Sequence, residues 1–360
     1  MNINRVYFIG AGASKQDLFP LTTELKYGIA WAILNKRSHF SKLAKHLTYL
    51  YHVHEKELRA SRDCWKVLKR RTGDKLQTNP SQLPDVTDLL SSLDWMIREQ
   101  STFGPGQNAG NATSHSSTNE LALVRDQVVQ ALCTCLWNYC GLNAATTTRK
   151  FIRSISEEDA LITTNWDLLL DAARDKKFGS APEDYGTSGN IWLENARKPK
   201  KKRPMLLKLH GSLSWRYCPR CQRLVIDPLN HVAGERKDNA ICDCKCRYSE
   251  LIVTPGFVRE YRNAHLLNIW QKAMLTLATA REWIFVGYSL PPDDVGVRSL
   301  LLKARCMRHD LRKAQPRVTI VTGPDHWAET LARYRGIFRN VKLYSDGFKN
   351  FVKRMTASQH

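Results

Sequence analysis

Five short apolar segments, each ending in turn or polar residues, constrain the fold of this chain more than any other feature. They are Arg5–Ile9, Ala160–Thr164, Met205–Leu209, Trp283–Val286 and Arg317–Val321. Each has the length of one buried strand, and helical stretches separate them along the chain. This alternation predicts βαβ units and an α/β fold with a Rossmann-type parallel sheet, in which ligands bind at the carboxyl ends of the strands.

The length and composition allow a sizeable core. The chain has 360 residues, of which 42% are hydrophobic, so it can form one large α/β domain with insertions or two modest domains. No apolar run approaches the roughly eighteen residues of a membrane-spanning helix, and the first residues, MNINRVYFIGAGAS, do not resemble a signal peptide. We therefore expect an intracellular, cytoplasmic protein without a membrane partner.

The chain is strongly basic, with 55 Lys and Arg against 34 Asp and Glu and a formal charge of +21. A field of this size attracts polyanions, so a nucleic-acid or acidic-protein partner remains open beside the alternative of an ordinary solvated surface. The run Lys198–Arg203 (KPKKKR) is the densest basic segment. A solvated loop is the favoured interpretation, ahead of a nuclear address or a nucleic-acid contact.

A long helical region, residues 21–142, separates the first strand from the second. Its stretch 101–119 is rich in glycine, serine and asparagine, a composition that buries little apolar surface and predicts a flexible loop. The position of this region between two strands of the sheet predicts a helical insertion over residues 21–142. The sheet domain is then made of residues 1–20 and 143–350.

Three polar motifs follow the first three strands. They are Gly10–Ser14 (GAGAS), Thr163–Asp167 (TTNWD) and Lys208–Ser212 (KLHGS). A glycine turn lets backbone amides approach a phosphate, although a tight strand-to-helix turn explains GAGAS equally well on its own. A lone histidine is more often a core residue than a catalyst. However, Gly211 and Ser212 allow a turn that exposes the imidazole of His210, and its near-neutral pKa suits proton transfer.

Five of the ten cysteines lie close together in the sequence. Cys218 and Cys221 form a CxxC pair, and Cys242, Cys244 and Cys246 follow after a loop of about twenty residues. Four thiolates with this spacing predict a structural zinc site that stabilises a small zinc-ribbon module over residues 214–250. Five cysteines compete for four positions, and unligated thiols remain the alternative.

The three motifs occur in this order, followed by the cysteine-rich insertion and then by Val286–Leu290 (VGYSL). Together they resemble the sirtuin superfamily, over residues near 3–15 and 160–325. The resemblance implies that nicotinamide adenine dinucleotide (NAD) is a substrate that is consumed.

The resemblance also implies roles for individual residues. His210 would be the general base, acting on a ribose hydroxyl or an attacking water, while Asn165 and Asp167 would line the nicotinamide-ribose pocket. The residues implied to contact the dinucleotide are Gly10, Ala11, Gly12, Ser14, Thr164, Gly287, Ser289 and Gly323.

Two segments depart from the protein-deacylating sirtuins. Ser14–Glu24 replaces the isoleucine-proline-aspartate-phenylalanine-arginine segment of the deacylases, and Glu250–Val258 contains Pro255, which lacks the backbone donor needed to pair with a peptide strand. In contrast, Gly287–Asp294 (GYSLPPDD) is similar to bacterial sirtuin-like proteins of antiphage defence. The leading hypothesis is therefore NAD hydrolysis to nicotinamide and ADP-ribose in antiphage defence.

Two alternatives remain. The cysteine-rich insertion also occurs in deacylases and supports an NAD-dependent protein deacylase or ADP-ribosyltransferase, and the charge of +21 supports a non-catalytic NAD-binding or nucleic-acid-binding subunit. Because an unrestrained NAD hydrolase would be toxic, we expect a regulatory protein partner and a homo-oligomer.

Overall fold

The structure is a computed structural model that describes residues 3–17, 19–70, 83–100, 118–137, 145–187, 189–229, 241–255, 263–325 and 327–357. The chain divides into two compact units. The first, which we call the sheet unit, comprises residues 1–19, 141–253 and 261–360. The second, the helical unit, comprises residues 20–140 and 254–260.

Strands and helices alternate along the described residues. The strands are β1 Arg5–Ile9, β2 Ala160–Thr163, β3 Ile191–Leu193, β4 Met205–Lys208, β5 Gly211–Tyr217, β6 Leu224–Ile226, β7 Ser249–Ile252, β8 Glu282–Val286, β9 Arg317–Val321 and β10 Val341–Tyr344. The helices are α1 Ala11–Lys15, α2 Leu25–Asn35, α3 Ser41–Tyr51, α4 Glu55–Arg70, α5 Val86–Gln100, α6 Thr118–Trp137, α7 Thr146–Ser154, α8 Leu169–Phe178, α9 Ala264–Thr279, α10 Val295–Asp310, α11 Trp327–Arg335 and α12 Phe348–Ala357.

The main sheet has six parallel strands in the order β10-β9-β8-β1-β2-β4. The five predicted strands all belong to it, so the predicted α/β class with a parallel Rossmann-type sheet is confirmed. The sixth strand, β10, was not predicted. Its residues are half-buried or exposed, and Lys342 interrupts the apolar run, so the segment lacks the continuous hydrophobic signal of a central parallel strand.

Aromatic side chains fill the core of the sheet unit. Phe8 in the central strand is fully buried and packs 4.7 Å from the ring of Tyr288 and 5.5 Å from that of Phe285. Burial of one such side chain stabilises the fold by about 1.5–3 kcal/mol. These contacts fix β1 and β8 as neighbours, which brings the loops after them together.

A second sheet carries the cysteine-rich segment, with strand order β3-β6-β5-β7. Strand β5 runs antiparallel to both β6 and β7, and its register with β7 shifts between Gly211 and Arg216. Because β5 begins one residue after His210, this sheet continues directly from the end of β4.

In the helical unit, α2 packs against α4 and α6, while α3 and α5 pack against α6. Gly28 permits the close approach, since a Cβ atom there would lie 2.6 Å from Sγ of Cys135. The Gln127 side chain joins α6 to the start of α3 by accepting from the Leu43 amide and donating to the His39 carbonyl.

Most of the predicted flexible loop, residues 101–117, lies outside the described residues. The last two residues of the predicted loop, Thr118 and Asn119, belong to α6. The predicted end of the loop was therefore two residues too late. Among the helices described, none combines the length and apolar character needed to cross a membrane.

The basic run after β3 is only partly solvated. Its lysines, Lys198, Lys200, Lys201 and Lys202, are exposed. Arg203 instead pairs with Asp184, whose side chain is 6% exposed. The arginine therefore has a structural partner within the sheet unit.

Candidate functional site

The parallel register aligns the carboxyl ends of the central strands. Ile9 lies opposite both Thr163 and Val286, and Thr163 lies opposite Lys208. The motifs after β1, β2 and β4 and the loop after β8 therefore share one edge of the sheet, where ligands bind in folds of this class.

The glycine turn packs against the loop after β8. The Gly12 amide donates to the Gly287 carbonyl at 2.9 Å, and a Cβ atom on Gly10 would lie 2.6 Å from that same oxygen. Gly287 has a φ of +60°, and a Cβ there would lie 2.1 Å from the Ala13 amide nitrogen. Close packing of two loops therefore requires these glycines, and the Gly12 amide already has a backbone acceptor.

A hydrogen-bond chain joins the first two motifs. The Asn165 side-chain nitrogen donates to the Ser14 hydroxyl at 2.9 Å, and that hydroxyl donates to Oδ2 of Asp167 at 2.7 Å. Ser14 and Asp167 are buried, while Asn165 is partly exposed. Because the serine hydroxyl accepts one bond and donates the other, it fixes the orientations of both partners.

The turn after β2 is held by its own threonine. The Thr163 hydroxyl donates to the Ile9 carbonyl at 2.8 Å and accepts from the Asn165 amide at 3.0 Å. Thr164 is half-buried in the same turn. The Thr163 side chain thereby connects β2 to the end of β1 at the start of the glycine turn.

Asp167 combines burial with several hydrogen bonds. Its Oδ1 accepts from the Leu169 amide at 3.0 Å at the beginning of α8. Burial raises the pKa of Asp167, while the charge of Lys208 and the bond from Ser14 act in the opposite direction. The net result is a pKa above the ordinary value of 3.8.

A buried ion pair lies beneath this turn. Nζ of Lys208 is 2.7 Å from Oδ2 of Asp171 and 2.5 Å from the Asp167 carbonyl oxygen, to which it also donates. The two side chains are 1% and 0% exposed. Lys208 thus connects the strand that leads to His210 with the turn that carries Asp167.

His210 follows β4 and is 8% exposed, so the expected exposed imidazole is wrong. The Trp270 ring lies 6.4 Å from the imidazole, centroid to centroid, and the Val253 amide donates to the His210 carbonyl at 2.8 Å. Gly211 turns the chain with a φ of +74°, and a Cβ there would lie 1.9 Å from the Leu251 carbonyl oxygen. The predicted turn at Gly211 is present, and it places the backbone of Gly211 against β7.

The remaining residues implied to contact the dinucleotide lie along the same edge. Ala11 is half-buried at the start of α1, while Ser289 and Gly323 are exposed after β8 and β9. The Ser289 carbonyl accepts from Arg333 at 3.3 Å, and a Cβ on Gly323 would meet open space. Two groups of predicted site residues are therefore in contact. Ser14 bonds to Asn165 and Asp167, and the glycine turn packs against Gly287. Ser289 and Gly323 lie outside both groups.

Four cysteine sulfurs in the second sheet lie within 4.8 Å of one another, those of Cys218, Cys221, Cys242 and Cys244. Cys218 and Cys244 are 3.3 Å apart and Cys221 and Cys242 are 3.4 Å apart. The fifth thiol, Cys246, is outside this group and faces the Arg247 carbonyl at 3.7 Å.

The cluster fits a tetrahedral zinc ion. Zinc bonds of about 2.3 Å to four sulfurs separate the sulfurs by about 3.8 Å, which lies within the spread observed here. Desolvation raises the pKa of the Cys218 thiol, but hydrogen bonds from the Cys221 amide and the Cys244 thiol outweigh it and lower the pKa to about 6. The pKa of Cys242 is also lowered, whereas those of Cys221 and Cys244 are raised. A thiolate is the form that binds a metal. The turns after Cys221 and Cys244 place Gln222 and Lys245 at φ values of +57° and +62°.

Comparison with protein-family models tests the resemblance to sirtuins that the motifs suggest. The family model described as a SIR2-like domain matches residues 159–338, which is half of the chain. The chain belongs to the sirtuin superfamily. Membership supports an NAD-dependent, sirtuin-like activity for this protein. A comparison with curated protein sequences finds no match.

Solved sirtuin structures resemble this sirtuin-superfamily protein at low identity. A structure described as a Sir2 homologue mutant in complex with ADP-ribose has 13% identity and a TM-score of 0.45, with 99% of this chain and 93% of that chain covered. One from a study of sirtuin substrate affinity has 16% identity and a TM-score of 0.42, with 99% and 94% covered. A Sir2 complex with a p53 peptide and NAD+ has 14% identity and a TM-score of 0.36, with 99% and 93% covered.

The sequence assigns no role to several residues that support the site of this sirtuin-superfamily protein. Lys208 and Asp171 are charged residues within otherwise apolar segments, and that interruption was a usable signal for a buried pair. Asp17 accepts from the Thr147 and Thr148 amides at 2.9 and 2.8 Å, so it caps the first turn of α7. A residue 130 positions away gives no local sequence signal for such a cap.

Proposed function

We propose that this protein consumes NAD, hydrolysing it to nicotinamide and ADP-ribose. The observation that carries the proposal is the hydrogen-bond chain from Asn165 through Ser14 to Asp167, at the sheet edge where β4 leads into His210. Polar groups with fixed orientations at the carboxyl ends of parallel strands suit a dinucleotide substrate. NAD is a substrate in this proposal because the glycosidic bond to nicotinamide is broken.

Asn165 is the residue proposed to position the ribose or the attacking water. Its amide nitrogen donates to Ser14, so its amide oxygen is the atom oriented to accept from a hydroxyl or water. Ser14 in turn is held by the Asp167 carboxylate, whose other oxygen is anchored by the Leu169 amide. The asparagine therefore has a fixed orientation before substrate arrives, which reduces the entropy cost of reaching the transition state.

His210 is the proposed general base. As the bond between the ribose C1′ and the nicotinamide nitrogen breaks, the bonding electron pair leaves with the nicotinamide ring and neutralises its positive charge. Water then bonds to C1′, and His210 accepts the proton that this water loses. The products are nicotinamide, ADP-ribose and one proton, which the imidazole returns to solvent.

Two features favour water over an acylated peptide as the acceptor. Asp17 lies in the segment that replaces the deacylase motif. Its carboxylate accepts from two backbone amides of α7, so this side chain has a structural role as a helix cap. Strand β7 is paired with β5, and its continuation contributes the Val253 amide to the His210 carbonyl. Pro255 follows without an amide donor. Residues 256–258 of the same segment lie outside the described residues.

We also propose that one structural zinc ion binds Cys218, Cys221, Cys242 and Cys244. Both pairs of sulfurs lie on short turns that a four-coordinate ion would hold together. The proposed role is to stabilise the small second sheet, because four protein ligands leave no open coordination position for a substrate.

The biological setting proposed is antiphage defence in the cytoplasm, supported by the similarity of Gly287–Asp294 to bacterial defence proteins. Within that segment the Tyr288 hydroxyl donates to Asp294 at 2.6 Å, which holds the loop beside the start of α10. A regulatory protein, homo-oligomerisation or nucleic acid bound to the basic surface is proposed to restrain the activity, because free NAD hydrolysis would be toxic.

The distinguishing experiment is product analysis after incubation with NAD, with and without an acetylated peptide. Hydrolysis yields ADP-ribose in both reactions at the same rate, whereas a deacylase yields O-acetyl-ADP-ribose and only with peptide. Mass spectrometry separates the two products by the mass of the acetyl group. Acetylated product that depends on the peptide would overturn the hydrolase proposal in favour of a deacylase.

A further inference from the structure

Helix α9 contacts both the turn beside the cysteine cluster and the strand that leads to His210. Two of its aromatic side chains bond to backbone carbonyls outside the helix. His265 faces the Gln222 carbonyl at 2.7 Å, and Trp270 donates its indole N–H to the Leu209 carbonyl at 2.9 Å. One helix thus reaches the turn beside Cys221 and the residue just before His210.

The contact of Trp270 restrains His210 on one side. The Leu209 amide donates to the Thr163 carbonyl at 2.8 Å, so Leu209 is bonded through both its amide and its carbonyl. The Trp270 ring lies 6.4 Å from the His210 imidazole, centroid to centroid, with 30° between their planes. On the other side, the Val253 amide bonds to the His210 carbonyl. These contacts fix the backbone on both sides of His210 and thereby the direction in which its imidazole projects.

The amino end of α9 is held at the turn beside the cysteine cluster. Asn263 caps the helix by accepting from the His265 amide, and His265 is 3% exposed. A carbonyl oxygen only accepts hydrogen bonds, so the ring nitrogen Nε2 facing Gln222 carries the proton. Gln222 is the residue with positive φ that ends the Cys218–Cys221 turn. The helix therefore has a fixed anchor there.

We propose that Trp270 is a positioning residue for His210, and that α9 transmits the geometry of the cysteine cluster to it through His265. The effect on turnover rests on the proposed NAD hydrolysis, whereas the effect on the imidazole does not. Trp270 acts through the Leu209 carbonyl and through ring packing, so its loss is expected to alter the orientation and surroundings of His210 without unfolding the sheet.

The chain offers a matched control on the same helix. Trp283 donates its indole N–H to the Leu277 carbonyl of α9 at 3.0 Å, and it is fully buried in β8. Trp270→Phe and Trp283→Phe each remove one indole-to-carbonyl bond that involves α9. Only the first removes a bond to the residue preceding His210.

The test measures the His210 imidazole by NMR in the zinc-loaded full chain, with the signal assigned by its loss in His210→Ala. Trp270→Phe is expected to shift the His210 signal and its titration, whereas Trp283→Phe leaves both unchanged. Turnover of NAD is expected to fall by about 10-fold to 100-fold in Trp270→Phe, with KM little altered, because misplacement of a catalytic group affects the chemical step. His265→Ala is expected to shift the same NMR signal by a smaller amount.

The readouts separate the two proposals. An unchanged His210 signal in Trp270→Phe, or equal shifts in Trp270→Phe and Trp283→Phe, would overturn the positioning role. If His265→Ala leaves the signal unchanged, the connection to the cysteine cluster is wrong. A shifted signal in a protein that never releases nicotinamide would overturn NAD hydrolysis and leave the positioning of His210 intact.

Discussion

The Ser14 hydroxyl donates a 2.7 Å hydrogen bond to the Asp167 carboxylate, which lies 153 residues later in the sequence. The same hydroxyl accepts from Asn165, so one buried serine orients two polar side chains that follow a different strand. This arrangement depends on the parallel pairing of β1 with β2, which places Ile9 opposite Thr163. It is the most specific feature of the proposed site.

Ser14→Ala should lower nicotinamide release by about 10-fold to 100-fold, because Asn165 loses the acceptor that fixes its amide. The measurement is the steady-state rate with saturating NAD. Ser154→Ala is the matched control, since it removes another buried serine hydroxyl, one that bonds within α7 to the Lys150 carbonyl. Equal rates in the two variants would contradict a role for Ser14 in the site.

Asp167→Asn should change how stability depends on pH. Burial raises the pKa of Asp167 in the folded protein above its ordinary value of 3.8. The contribution of this carboxyl to stability is therefore present below that value and is lost as pH rises through the folded pKa. Asparagine does not titrate, so the free energy of unfolding of the wild type relative to Asp167→Asn should decrease as pH rises from 3.8.

Chemical denaturation of both proteins at several pH values between about 4 and 7 measures this difference. A difference that stays constant or increases with pH would mean that the charge of Lys208 outweighs burial at Asp167. The buried Lys208–Asp171 pair is intact in both proteins, so it contributes equally to each side of the comparison.

Gly10→Ala should destabilise the fold by about 1–3 kcal/mol, because the new methyl group meets backbone atoms that cannot move independently. Its Cβ would lie 2.6 Å from the Gly287 carbonyl oxygen and from Cα of Tyr288. Gly323→Ala is the control for unfolding, since its Cβ meets open space. Unfolding by denaturant should show a loss of stability in Gly10→Ala and none in Gly323→Ala. Equal stability of the two variants would contradict the packing argument.

Zinc binding should depend on the four clustered thiols and not on Cys246. Metal analysis after dialysis is expected to find about one zinc per chain in the wild type and in Cys246→Ser, and a loss of zinc in Cys221→Ser and Cys244→Ser. Cys246 is the matched control because it lies in the same segment but outside the cluster. Loss of zinc from Cys246→Ser with retention in Cys244→Ser would assign the ligands differently.

The sequence predicts those parts of the fold whose signal is local. The five predicted strands are mainly apolar segments bounded by turn or polar residues, and the four clustered cysteines were among the five nominated thiols. Strand β10 was missed because Lys342 interrupts a segment at the edge of the sheet. The choice among the last three cysteines required the turn geometry, which leaves Cys246 outside the cluster.

Parts of the candidate site depend on tertiary packing that no short motif encodes. The glycine turn of the first motif packs against Gly287, a contact that no signal in the motif itself predicts. His210 was expected to be exposed, but it is 8% exposed, and Trp270 of α9 lies beside its ring. The contact of Trp270 with Leu209 spans 61 residues, so it becomes visible only when α9 is placed against β4.

The most direct test of the central claim is nicotinamide release from NAD, without any acylated peptide, by the wild type and by His210→Ala. Wild-type protein is predicted to release nicotinamide, and the variant is predicted to be slower by about 10²-fold to 10⁴-fold, the usual contribution of a general base. Release that requires an acylated peptide, release that is unchanged in His210→Ala, or no release by the wild type would contradict the account.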